Sequence, residues 1–554
     1  MGSTAVPQKV RTFQTHPDQY RHWKLSVDGA VATLALDIQE ENGLRPNDYE
    51  LKQNSYDLGV DIELADAVER LRFEHPAVRC VLVTSAQPKV FCAGANIKML
   101  ATSTHGFKVN FCRYTNETRC GIEDATANSG QVYVAALNGT AAGGGYELAL
   151  ACEHIYLIDD GSSVVSLPEV PLLGVLPGTG GLTRLVDKRA VRRDVADLFC
   201  TRAEGYRSRD ALKMELVDGA FPRSKWDDGI QSVATKLVDG NPARSNEGIT
   251  LNPIHAEVDE DGGRTYEYVS LTLDPAQRVA TITVEAPTAP APADVAALRA
   301  EGDNTWSMKA WRELDDALLH LRFNYPELGL ILLHTRGDAS AVLAHDAVLA
   351  DNADDWLANE IRLFQARVLR RIDNTARSVF AIIDEGSCFV GSLFETTIAA
   401  DRSYMLEDED GAVTVQVTGA SGGRFPMSTG LTRLQARFLR HPDKVEAALA
   451  TNGEPTDAPD AFDMGLVTLA PDDIDWDDEI RIAVEERVSL SPDALTGMEQ
   501  NLRFVGAETC DSKIFGRLSA WQNWIFQRPN AVGEEGALTL YGHPNRPRFD
   551  WTRT

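Results

Sequence analysis

NGTAAGGGYELALACE, residues 138–153, decides how the rest of this 554-residue chain is read. The apolar run QVYVAALNG leads into it with the character of a strand, three successive glycines follow at Gly143 to Gly145, and YELALACEHI continues as a helix. Glycines at such a turn permit positive φ and let a ligand approach the main chain with no Cβ in the way. A helix starting there offers unpaired N–H groups and the positive end of its dipole. The bend is thus a candidate site for negative charge, although taken alone it reads equally well as a turn that only packs.

Composition narrows the classes. The chain is long enough for two or more domains, and its 43% hydrophobic and 25% charged residues are those of a soluble globular protein. No window reaches a membrane-spanning run, and the N-terminus lacks the apolar segment of a signal peptide. Eight scattered cysteines without a CxxC pair argue for a reducing cytoplasm and against a thiolate metal site, and no HExxH appears; no metal is expected. A net charge of −28 argues against a nucleic-acid partner. Any anionic ligand must be held by local cations and amides.

Strand-like and helix-like segments alternate from Trp23 onward, predicting an α/β fold. Near Asp239 the chain becomes polar and rich in Gly, Pro and Asp, and then the first half returns. Leu71 of LRFEHPAVRCVLVTS reappears as Leu321 of LRFNYPELGLILLHT, an offset of 250. VATLAL at Val31 returns as VATITV at Val279, Glu147 as Glu395, and GLTRL at Gly181 as GLTRL at Gly430. These matches predict two copies of one domain: residues 1–240, a linker over 241–267, a second copy over 268–477, and a helical C-terminal region over 478–554. The second copy has lost polar features, with VLAHDA from Val342 opposite FCAGAN, GSLFE opposite GGGYE, and Thr418 opposite Glu169. It reads as a scaffold or interface, or as a separate weak ligand site.

In the first copy, FCAGANI offers an amide near Ala95 and the glycine run another near Gly144. Two such donors aimed at one oxygen form an oxyanion hole, where each donor contributes roughly 3–4 kcal/mol to a transition state. Glu147 on the first helical turn and Glu169 in LPEVPLLGVLPG add two carboxylates whose proton affinities a shared apolar site would push apart. Singly, Glu147 reads as a helix N-terminal charge and Glu169 as a solvated loop residue. A dinucleotide site is excluded by spacing, since GGGYE is not GxGxxG.

FCAGANIK, NGTAAGGGYELALACE and LPEVPLLGVLPGTGGLTRL together resemble the crotonase (enoyl-CoA hydratase/isomerase) superfamily over about residues 24–235. The resemblance implies a duplicated fold of ββα units with C-terminal helices and an acyl-CoA substrate whose thioester oxygen is held by Ala95 and Gly144. It places Glu147 and Glu169 in the acid/base positions, and Lys52, Asn96 and Gly143 beside the coenzyme, with no further cofactor. KQNS departs from the family's KALN after the lysine, and Asn96 replaces its usual aspartate. LRPNDYELKQNSYDLGVDIELADAVERLRFEHP and WQNWIFQRPNAVGEEGALTLYGHP further resemble lyases that open an epoxidised benzoyl-CoA ring with water and release formate. That implies Cys112 as a participant, where the bland reading is a thiol in the pocket wall. A plain hydratase or isomerase, or an acyl-CoA-binding or RNA-binding relative, are the competing classes. A cytoplasmic homodimer is expected.

Overall fold

A computed structural model describes residues 10–554. The N-terminal residues 1–9, part of the stretch read as lacking a signal peptide, lie outside it. The chain divides into two compact units, residues 14–253 and residues 254–554, the latter joined by residues 10–13.

In the first unit β1 (Trp23–Asp28) and β2 (Val31–Leu36) form a hairpin, followed by α1 (Leu58–Phe73). Three ββα units succeed one another. β3 (Cys80–Ser85) and β4 (Lys89–Cys92) precede α2 (Ile97–Thr102) and α3 (His105–Ser129). Next come β5 (Val132–Leu137), β6 (Gly139–Ala142) and α4 (Gly144–Ala151), then β7 (His154–Asp159), β8 (Val164–Ser166) and α5 (Glu169–Leu173). The unit closes with α6 (Gly181–Thr183), α7 (Arg193–Cys200), β9 (Tyr206–Arg207), α8 (Ser208–Lys213), β10 (Gly219–Pro222) and α9 (Trp226–Gly240).

The first strand of each unit enters a large sheet of order β1-β2-β3-β5-β7-β10, parallel from β2 onward. Its central strand β5 is buried along its whole length because both faces are covered. On one face Trp226, Ile230 and Ala234 of α9 pack on Cys80, Leu82, Val134 and Ala136. The second strand of each unit enters a small sheet in which β4, β6 and β8 run parallel. The ends of those three strands lead to Ala95, Gly144 and Glu169.

In the second unit one sheet runs β11 (Glu257–Val258), β12 (Arg264–Thr265), β13 (Val269–Asp274), β14 (Val279–Glu285), β15 (Leu330–Arg336), β16 (Ser378–Ile383) and β17 (Arg402–Met405). Its helices include α10 (Val295–Glu301), α11 (Trp306–Asn324), α12 (Ala339–Asp351), α13 (Trp356–Asp373) and α14 (Gly391–Ala399). The small sheet is reduced: α12 stands where β4 would, and isolated bridges between Val390 and Gln416 and between Val415 and Thr456 remain of it among the described residues.

Three sequence boundaries shift. The segment 241–267 is not an open linker. Ile249 donates to the Phe73 carbonyl at 2.9 Å in the first unit, and β11 and β12 extend the second sheet. The helix Trp476–Ser489 belongs to the repeat, packing Ala483 and Val484 on Leu330 and Phe380 as α9 does in the first unit. WDDGI at Trp226 returns there as WDDEI at Trp476, an unread signal at the same offset of 250. The C-terminal region is helical only to Val532. Within it Trp521 and Trp524 pack edge to face, and Arg528 pairs with Asp493 at 3.2 Å.

The helix Pro492–Arg503 is anchored by buried Glu499, which accepts from Ser378, from Arg487 at 3.1 Å and from Arg553 at 2.5 Å. Removing one partner of a buried ionic cluster strands the others. Glu499→Ala should therefore destabilise the second unit by about 3–5 kcal/mol. Urea unfolding followed by circular dichroism should show an earlier transition for this unit, with that of residues 14–253 unchanged.

Candidate functional site

Residues that leave neighbouring parallel strands at the same end start about 4.8 Å apart. Hence β4, β6 and β8 deliver the two bends and Glu169 side by side. At the first bend Gly94 has φ +89°, and a methyl group there would lie 2.7 Å from the Gly144 nitrogen. The bend is held by Tyr56, whose N–H donates to the Gly94 carbonyl at 3.0 Å and whose carbonyl accepts from Asn96 at 2.8 Å. At the second bend Gly143 has φ +53° and donates to the Ser166 carbonyl at 2.9 Å, after which α4 begins at Gly144. The N–H groups of Ala95 and Gly144 find no acceptor among the described residues. The structure thus brings both predicted amides to one place.

It brings the glutamates there too. Glu147, 3% exposed, accepts from the Thr179 hydroxyl and from the Gly181 amide at 2.8 Å, with Arg119 at 3.9 Å. Glu169, 8% exposed, sets Oε1 against Gly143, where a methyl would come within 2.8 Å. Its Oε2 is buried with no hydrogen-bond partner among the described residues. Burial, reinforced by the Glu147 charge, pushes the Glu169 carboxyl up to about 7. One acid is therefore held as an acceptor while the other is poised to keep its proton near neutrality.

The remaining predicted residues fare differently. Cys112, on α3, is pushed up to about 11 by burial and by Glu147, so it stands near the site as a thiol. Lys52, 68% exposed, pairs with Glu50 at 2.6 Å, and its turn touches the first bend where Gln53 accepts from Ala93 at 3.2 Å. The Asn96 side chain is buried and engaged within the protein. Its Oδ1 caps α2 at Met99 (2.9 Å), and its amide donates to the Glu50 carbonyl (2.8 Å) and to Ser55 (3.1 Å). It shapes the Lys52 turn. Gly143 matters for the room it leaves Glu169.

Sequence reading missed Tyr56, Arg119 and Thr179. Thr179 and Gly181 lie in the quoted stretch GTGGLTRL, so a partner for Glu147 was within reach. Arg119 sits on a polar helix with no local pattern to mark it. In the second copy the counterpart of the Gly144 amide, that of Ser392, is occupied: the buried Asp346 carboxylate accepts from it at 2.6 Å. Asp346 lies in VLAHDA at the place Ala95 holds in FCAGAN.

The sequence profile of the enoyl-CoA hydratase/isomerase family matches residues 48–249. A benzoyl-CoA-dihydrodiol lyase of Aromatoleum evansii is 53% identical over 543 residues, covering 98% of this chain and 97% of that one. Among solved structures, an enoyl-CoA hydratase of Geobacillus kaustophilus HTA426 is 33% identical over 40% of this chain and 75% of its own, with a TM-score of 0.35. One from Bacillus anthracis is 26% identical over 39% and 76%, with a TM-score of 0.33.

The raised Glu169 carboxyl links the site to stability. Folding favours its protonated form, so its contribution is present at acid pH and lost as pH rises through about 7. From pH 5 to pH 8 the wild type should lose up to about 3 kcal/mol relative to Glu169→Gln, as measured by urea unfolding. Parallel pH profiles for the two proteins would contradict this.

Proposed function

Because this chain belongs to the enoyl-CoA hydratase/isomerase (crotonase) family, and along its whole length to the group of benzoyl-CoA-dihydrodiol lyase, we propose that it is a carbon–carbon lyase of aerobic benzoate degradation. Its substrate is 2,3-epoxy-2,3-dihydrobenzoyl-CoA, which with two waters gives 3,4-dehydroadipyl-CoA semialdehyde and formate. The single observation that carries this reading is the pairing of two unengaged amides with two unlike carboxylates in one buried site.

The Ala95 and Gly144 amides hold the thioester oxygen and draw electrons from the ring, making it electrophilic. The two donors outweigh the end of α4, since an oxyanion-hole donor contributes roughly 3–4 kcal/mol and a helix terminus about 0.3–1 kcal/mol. Glu147, oriented by Thr179, Gly181 and Arg119, takes a proton from the attacking water. The C2–C3 bond opens in the oxepin tautomer, to whose C2 the first water adds; a second water adds to the resulting C2 aldehyde, and Glu169, protonated near neutrality, gives its proton to C1 as the C1–C2 bond breaks and C2 leaves as formate. Cys112 lines the acyl pocket as a thiol. Lys52 attracts the coenzyme's phosphates from the exposed turn beside the first bend. Water is the only co-reactant, and no metal or redox cofactor takes part.

The same reading places the enzyme in the cytoplasm as a homodimer. Support comes from eight cysteines that are all free, and from no helix among the described residues long and apolar enough to cross a membrane. Val170, Leu172, Leu173, Val175 and Leu176 stand exposed directly after Glu169, an apolar run that a second copy would cover. Sedimentation equilibrium should return twice the chain mass.

Incubation with the epoxide substrate should release one formate per acyl-CoA consumed. Glu147→Gln and Glu169→Gln should each lower turnover by at least about 10³-fold while CoA-ester affinity changes little, because each removes a proton-transfer group rather than a binding contact. Hydration of crotonyl-CoA without formate release would favour the hydratase alternative.

A further inference from the structure

Arg119, midway along α3, is a cation buried to 2% exposure in the middle of the site. Its Nη1 donates to the Thr179 carbonyl at 2.9 Å, and its Nη2 to the Tyr56 hydroxyl at 2.9 Å and the Gly144 carbonyl at 2.8 Å. Each acceptor belongs to a different working part. Tyr56 is bridged to the backbone on both sides of Ala95, Gly144 opens α4, and Thr179 holds Glu147. The parts are close-set: a methyl group on Gly144 would lie 2.2 Å from the Tyr56 oxygen. A planar guanidinium with donors in a fixed fork suits three acceptors in three directions; the single ammonium of a lysine does not.

The second copy supplies an internal control. The ion pair between Arg184 and Glu123, at 2.8 Å, reappears there as Arg433 and Asp373, at 2.6 Å. Both copies keep that pair, so it serves the shared fold. Carried back along the helix, the offset of 250 sets Leu369 opposite Arg119. Asp61, whose charge acts on Arg119, has Trp311 at the same offset. In the second copy the only one of these two cations left beside the Glu147 counterpart, Glu395, is Arg433 at 3.7 Å, so an arginine at the Arg119 position is specific to the copy that keeps the glycine bends and both glutamates.

We infer that Arg119 is a positioning residue for the ring-opening reaction: its guanidinium fixes the spacing of the Ala95 and Gly144 amides and of the loop that orients Glu147. The thioester oxygen then meets both N–H groups at once, with the base already in register. This rests on the proposed function above. Misplacement by about 1 Å of groups aligned on a reacting centre costs on the order of 10²-fold in rate.

The test uses full-length Arg119→Met, Arg119→Lys and Tyr56→Phe with the epoxide substrate, reading kcat, KM, formate, thermal melting and the pH dependence of kcat. Arg119→Met should lose about 10²-fold in kcat with KM within about threefold of wild type, Arg119→Lys should recover about tenfold of that, and Tyr56→Phe should lose about threefold to tenfold. The charges that act on Glu169 are those of Glu147, which raises its carboxyl, and Arg119, which lowers it; the Cys200 thiol lies near as a neutral group. The alkaline fall in kcat should therefore move to higher pH in Arg119→Met and stay in place in Arg119→Lys. Wild-type kcat in Arg119→Met overturns the inference, as do losses in kcat, KM and melting temperature that move together over an unmoved pH profile. Should Arg119→Met fail to fold, unchanged kcat in both remaining variants overturns it. No formate from the wild type would instead overturn the proposed function, and the same three variants would then be read on crotonyl-CoA hydration.

Discussion

The geometry of the site depends on three short parallel strands. β4 and β8 both pair parallel with β6, β4 through a register shift between Val90 and Cys92, and the residues that leave their ends have no freedom to separate by more than strand spacing allows. Ala95, Gly144 and Glu169 are neighbours for that reason and not because of attraction among them. Each strand is in turn the second of a ββα unit whose first strand lies in the buried large sheet, so the site is tied to the core of the unit. The tight approach of Gly94 to Gly144 and of Gly143 to Glu169 follows. Small residues are required where three main chains converge.

On that frame, local electrostatics divide the labour. The chain carries a net charge of −28, yet the proposed site must hold a substrate bearing phosphates and stabilise a developing oxyanion. It meets the second need with oriented amides, which act at contact distance in a dry site. The two carboxylates differ by environment alone. Glu147 has a hydroxyl, an amide and a guanidinium around it, whereas Glu169 has burial, a like charge and one orphaned oxygen. A proton is thereby kept on the residue proposed to give it up.

Much of this was legible in the sequence because it is local. The glycine run, FCAGAN and the LPEVP stretch each specify a bend or a turn within a few residues, and the internal offsets give the duplication directly. What could not be read depends on residues far apart in the chain. Arg119 meets Tyr56 across 63 positions and Thr179 across 60, and nothing near it in sequence announces either partner. The Asn96 side chain caps α2 and reaches back to the Glu50 carbonyl, a contact across 46 positions that no local pattern shows. The WDDEI helix reads from sequence as lying outside the repeat, although WDDGI stands at the same offset of 250. Its apolar face becomes decisive only once a second sheet is there to receive it.

The second copy shows what a duplicated site requires once it stops receiving a ligand. Gly391 keeps the positive φ of Gly143, at +54°, so α14 still opens with the Ser392 N–H in the place of the Gly144 amide. A buried N–H left unpaired costs about 1–3 kcal/mol. Losing the substrate without a replacement would therefore destabilise the unit. Asp346 resolves this by supplying a carboxylate oxygen at 2.6 Å from the chain itself. It does so from the position of Ala95, on a helix that replaced β4. Burial holds its carboxyl up at about 6, so the hydrogen bond is formed against a desolvation cost. The substitution thus removes one amide of the pair and covers the other. Without β4 the bend that presented the first amide has no frame, and Leu369 needs no fork of acceptors around it. The loss of chemistry in this half is a coordinated closure of the site, through which the fold is retained.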